Sequence, residues 1–152
     1  MKAGSLKEIA MDNDLAKYIL SELASISFYK KRIKELEDKL DEIAQEIYDI
    51  QTPSSPSGGD GVKIFAHRDK ASIVNEKLTD EQNCIADKNH MITCLIKANA
   101  YMTKLLLVCD EQDAYFVKDY VKDVPRSTMR DRYGYSHPYD HMMRLIKRIK
   151  TY

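Results

Sequence analysis

The sequence predicts an all-α protein, with a long antiparallel coiled-coil helical hairpin followed by three short helices. Three observations predict it. Apolar residues recur at alternating steps of three and four over two long stretches, which is the period of a helical seam. The run TPSSPSGGDG separates the stretches, with two prolines, three serines and three glycines in ten residues. Beyond residue 109 the long period stops, and shorter amphipathic segments punctuated by Pro125 and Gly134 take over.

The first stretch carries Ile26, Tyr29, Ile33, Leu36, Leu40, Ile43, Ile47 and Ile50 without a missed step. Charged residues fill the positions between, so one face is apolar and the rest is solvated. The pattern extends less strictly back through Leu15, Ile19 and Leu23, predicting one helix of roughly 35–40 residues within an N-terminal segment 1–51. The Pro/Ser/Gly-rich linker is placed at 52–66. A second long helix is expected from about Arg68 to Val108, within 67–109. Its seam is assigned to Val74, Leu78, Ile85, Ile92, Leu95, Met102 and Leu106, interrupted by Glu81, Lys88 and Asn99. Two such helices close on each other as an antiparallel hairpin or pair with another subunit. A two-helix hairpin has little core of its own, so homodimerisation through the long helices is expected.

The remaining residues, 110–152, form a separate region. DEQDAYFVKDYVKD reads as an amphipathic helix whose apolar face is Tyr115, Phe116, Tyr120 and Val121. Pro125 breaks it, a short helix is expected near 127–133, and Gly134 makes a tight turn. The last helix is expected to start at Ser136, a good N-cap, with Pro138 acceptable in its first turn. Its apolar positions are Tyr139, Met142, Met143, Ile146 and Ile149.

Charge separates this region from the rest. The 152 residues carry 24 Lys/Arg and 24 Asp/Glu, a net of zero. Residues 1–62 hold a net of −4, residues 63–125 a net of −1, and residues 126–152 a net of +5. A basic terminal module on a neutral-to-acidic body points to an anionic partner for that module. Three cysteines without CxxC spacing read as reduced thiols in a cytoplasmic protein. No apolar run approaches the roughly 18 residues of a membrane span, so no membrane partner is expected.

The segment STMRDRYGYS resembles the helix–Gly–apolar–Ser heart of a helix-turn-helix. It is similar to region 4 of sigma factors and to the ArpU-like family of phage transcriptional regulators. In that family a long helical front part precedes a sigma-like reader with a turn of this kind. The resemblance implies a DNA-binding regulator of phage or prophage type in a bacterial host, acting on promoter DNA. It implies a role for each residue here. Gly134 makes the turn, Met129 and Tyr133 face the core, Tyr135 plugs the turn and Ser136 caps the reading helix. Base contacts fall to His137, Tyr139, Asp140, His141 and Arg144. Phosphate contacts fall to Arg126, Ser127, Thr128, Arg130, Arg132, Ser136, Lys147 and Arg148. Two residues depart from the family pattern. Arg130 stands where a small residue is usual, and Asp140 where an aliphatic one is usual, a role that Tyr139 takes if the register shifts by one.

His137 and His141 are four apart, the spacing of helical metal ligands. The segment HPYDH has no glutamate after its first histidine and no third ligand, so it reads as a helix start, with no metal and no cofactor expected. With no phosphate loop, triad order or carboxylate pair, catalysis is not expected. The other reading is a protein-interaction module that binds and inhibits a host nucleic-acid-handling protein. The long helices also leave RNA polymerase or another host protein open as a docking partner.

Overall fold

The structure, a computed structural model, describes residues 11–52 and 69–149. Those residues contain six helices and no strand: α1 (Asn13–Ala24), α2 (Ile26–Gln51), α3 (Lys70–Leu107), α4 (Glu111–Val121), α5 (Arg126–Tyr133) and α6 (Pro138–Ile146). The predicted all-α class holds. The linker placed at 52–66 lies, from residue 53 onward, outside the described residues. None of the described helices is long and apolar enough to cross a membrane.

The chain divides into two compact units. One comprises the described residues up to Tyr29 together with those from Cys94 onward, and the other runs from Lys30 to Thr93. The second unit is the hairpin. Every α2 seam residue it contains is buried or half-buried, with Leu36 and Ile43 innermost beside Cys84 of α3. The pairing is antiparallel. Glu46 meets Lys77 at 2.5 Å, Glu37 meets Lys88 at 3.3 Å, and the Cys84 Sγ donates to the Leu36 carbonyl at 3.4 Å.

The α3 face differs from the predicted one. Leu78 and Ile85 stay 39% and 42% exposed, while Ile73, Lys77, Glu81, Cys84, Lys88 and Met91 are buried or half-buried. Glu81 and Lys88 are therefore part of the inward seam and do not interrupt it. The reason is amphipathic: a lysine lays its four-carbon stem along the apolar groove and carries its ammonium to a glutamate on the neighbouring helix. Hydrophobicity alone assigns such a position to solvent.

The first long helix is also two helices. Asp12 caps α1, its carboxylate accepting from the Leu15 N–H at 2.8 Å. At Ser25 the ladder is interrupted, and the Ser25 hydroxyl donates to the Ser21 carbonyl at 2.8 Å. Such a back-bond competes with the helix's own hydrogen bonds and bends it. Ala16, Ile19, Leu20 and Leu23, spaced at one helical face, are then free to pack elsewhere than along the α2 seam. They pack against α6 and α4. The C-terminal helices accordingly do not make a core by themselves: Ile19 and Leu23 of α1 and Ala98 and Leu105 of α3 share it with Phe116, Val117, Met129, Met142, Leu145 and Ile146.

Candidate nucleic-acid interface

The site is carried by α4, α5 and α6. Asp110 caps α4 by accepting from the Asp113 N–H at 2.8 Å, and Phe116, Val117, Tyr120 and Val121 face inward. Tyr115, expected on that face, is 57% exposed, because it falls beside the inward stripe and lies under the Lys118 ammonium. Asp123 leaves the helix at φ 66°, a conformation that aspartate tolerates better than most residues. Pro125 then starts α5.

Helix α5 ends as predicted. Gly134 sits at φ 77°, and its N–H donates to the Arg130 carbonyl at 2.7 Å. A Cβ at Gly134 would meet nothing within 4 Å, so the glycine answers the backbone angle and not a lack of room. Met129 is fully buried. Tyr133 packs edge-on against the Phe116 ring at 5.4 Å and donates its hydroxyl to the Asp119 carboxylate at 2.5 Å. That hydrogen bond, with Arg132 also at 2.6 Å, holds the Asp119 carboxyl below the usual carboxylate range.

Helix α6 starts later than expected. Its N-cap is His137, one residue after Ser136, and no side chain makes the cap hydrogen bond. Pro138 at the first helical position explains the shift: its fixed φ begins the helix, leaving Ser136 outside the cap position. Tyr139 is 44% exposed and does not take the core role. The inward residues are Pro138, His141, Met142, Met143, Leu145 and Ile146.

His141 is the main correction. Only 7% exposed, it is turned away from the surface that base contact requires. Its Nε2 lies 2.9 Å from the Asp113 carboxylate and its Nδ1 lies 3.2 Å from an Arg144 guanidinium nitrogen. A guanidinium only donates, so Nδ1 accepts and the Nε2–H donates to Asp113. The Tyr135 ring stacks on the imidazole at 3.8 Å, and its hydroxyl reaches Asp113 at 3.3 Å. Burial raises the Tyr135 hydroxyl above its ordinary value, with Asp113 adding to the shift. The same surroundings push the Cys109 thiol up to about 11, burial first and the Asp113 charge second. Arg148 stands 3.9 Å from Asp113 and completes the cluster. Among the described residues no group of three His, Cys, Asp or Glu side chains is placed to hold a metal ion.

The remaining residues divide between free and occupied groups. His137, Asp140, Arg144, Lys147 and Arg148 are exposed. At about 100° per residue they share one stripe of α6, with Tyr139 on the opposite flank. Lys147 donates to the Asn13 side chain of α1, and Arg144 and Arg148 touch the His141–Asp113 pair. On α5, Arg126 lies over the Tyr120 ring at 3.8 Å and Arg132 pairs with Asp119. Arg130, Ser127 and Ser136 are exposed and Thr128 is half-buried.

Sequence reasoning missed two parts of this arrangement: Asp113 as partner of His141, and α1 as support for α6. The α1 signal was present in the Asp12 cap before an apolar period that does not continue the α2 seam. The Asp113 pairing spans 28 residues and has no local signal. Comparison with protein-family models, curated proteins and solved structures finds no match.

Proposed function

We propose that this chain is a DNA-binding regulator of transcription, of the phage or prophage type that its terminal segment resembles, and that it binds duplex DNA through the exposed stripe of α6. The observation that carries the reading is the outward set His137, Asp140, Arg144, Lys147 and Arg148 on a helix that follows a glycine turn and has its other face buried. A helix so held offers three cations to an anionic groove without unfolding anything. The net charge of +5 over residues 126–152 supplies the attraction. Arg130, with Ser127 and Ser136, is available to neighbouring phosphates, while Arg126 and Arg132 orient the helix pair from within. A homodimer would present two readers to one DNA segment.

Binding of the purified protein to random and prophage-derived duplex DNA, at low and moderate salt, tests this. The expected result is affinity that falls steeply with salt. In an Arg144→Ala/Lys147→Ala/Arg148→Ala variant the log–log salt slope should shrink by roughly three, about one per phosphate contact removed. A folded protein that binds no duplex at low salt would overturn the reading.

A specific observation favours a second reading. Asp140 stands within the cationic stripe, exposed, where it repels phosphates unless it accepts from a cytosine amino group. A mixed-charge stripe also suits a protein surface, as in a module that binds and inhibits a host nucleic-acid-handling protein. Complex formation with such a protein, persisting at salt that abolishes DNA binding, would favour it.

A further inference from the structure

Helix α3 carries a second seam. Ala71, Asn75, Leu78, Gln82, Ile85, Asn89 and Ile92 follow one another at steps of four and three, the same coiled-coil period as the inward seam. They lie about a third of a turn around the helix from Ile73, Cys84 and Met91. Six of the seven are exposed and Ile92 is half-buried. None is charged, although Lys70, Glu76, Lys77, Asp80, Glu81, Asp87 and Lys88 occupy other positions of the same stretch. A face this long, with three large aliphatic residues and no charge, is not what solvent alone selects in a helix otherwise this charged.

We infer that this face pairs with the same face of a second copy of the chain. The occupant follows from charge. A cover must itself lack charge along about 20 residues of helix, or it would bury an ion without a partner. The positions flanking the α2 seam do not qualify, because Lys31, Lys34, Asp38 and Asp41 line one side and Glu35, Lys39, Glu42 and Glu46 the other. The α3 face of a second copy does. It brings Leu78, Ile85 and Ile92 against the same residues or their neighbours. It also brings Asn75, Gln82 and Asn89, each amide both donor and acceptor and so complementary to its own kind. Polar amides at such positions specify register and oligomeric state at some loss of stability. Two hairpins joined in this way have α3 at the centre and the charged flanks of α2 outside. The inference deepens the homodimer component of the proposal above and does not depend on DNA being bound.

Sedimentation equilibrium of the full chain without DNA, at tens of micromolar, tests it. The wild type is expected at twice its 17.6 kDa mass. Leu78→Glu/Ile85→Glu should be a monomer with undiminished helical circular dichroism, its dissociation constant raised about a hundredfold or more by the buried charges. Gln82→Lys/Asn89→Lys, which removes no apolar side chain, should do the same. Ala86→Glu, exposed and off both seams, should remain a dimer. A monomeric wild type, or either double variant keeping the wild-type mass, overturns the inference. DNA titration of the same proteins reports separately on the α6 stripe.

Discussion

The unit around α4–α6 and the hairpin of Lys30–Thr93 spend their apolar residues in opposite ways. The first gathers eighteen buried residues into one core, with Phe116 between Tyr133, Tyr135 and the His141 ring. The second buries Leu36, Ile43 and Cys84 as its central cluster, with Leu40, Ile47 and Met91 partly covered, and flanks them with Lys–Glu pairs. A core closed on all sides specifies a shape for a helix that must present its outer stripe in one orientation. A seam one residue wide specifies direction and register, and leaves the other faces of both helices for solvent or a partner.

Substitutions that weigh the two regions sharpen this contrast. Phe116→Ala should cost about 3–5 kcal/mol, because the cavity is walled by rigid rings and cannot collapse; urea unfolding measures it. Asp113→Ala should follow at about 2–4 kcal/mol, since it strands the Nε2–H of His141 in the core. Loss of Asp113 with no change in midpoint would mean that water reaches the imidazole and that this core is looser than described. Ile43→Ala should cost about 2 kcal/mol, the low end of its class, because a two-helix seam can close on the gap. A cost equal to that at Phe116 would erase the distinction between the regions.

Two smaller effects test the turn and the rim of the terminal unit. Gly134→Ala should lose about 1 kcal/mol, since alanine disfavours φ 77° even with open space around it, and thermal unfolding should register a few degrees. The Asp119 carboxyl is held below its ordinary 3.8, so its contribution is present above that pH and fades as the pH falls through the lowered value. Asp119→Asn should therefore flatten the acid limb of a stability–pH curve and change neutral stability by under about 1 kcal/mol. An unchanged acid limb would show that the Tyr133 and Arg132 contacts do not persist in solution.

Much of this was legible in the residues, and the parts that were not share a cause. The α2 seam from Ile26 to Ile50, the break at Pro125, the αL turn at Gly134 and the burial of Met129 all rest on properties of one segment: a period, a missing N–H, a permitted φ. The face of α3, the separation of α1 at Ser25 and the inward turn of His141 do not. On α3 two stripes of similar apolar content run side by side, and the stripe holding Lys77 and Lys88 faces α2 because Glu46 and Glu37 wait there. Along α1, Ile19 and Leu23 fit a heptad on paper, and their destination is set by the apolar face of α6. His141 and Tyr139 are two residues apart on one helix, and Asp113 decides which of them is buried. The sequence by itself determined where helices begin, bend and end, because those choices are made within a turn or two of backbone. Only the tertiary structure decided which face each helix buries, because that free energy belongs to pairs of side chains far apart in the chain.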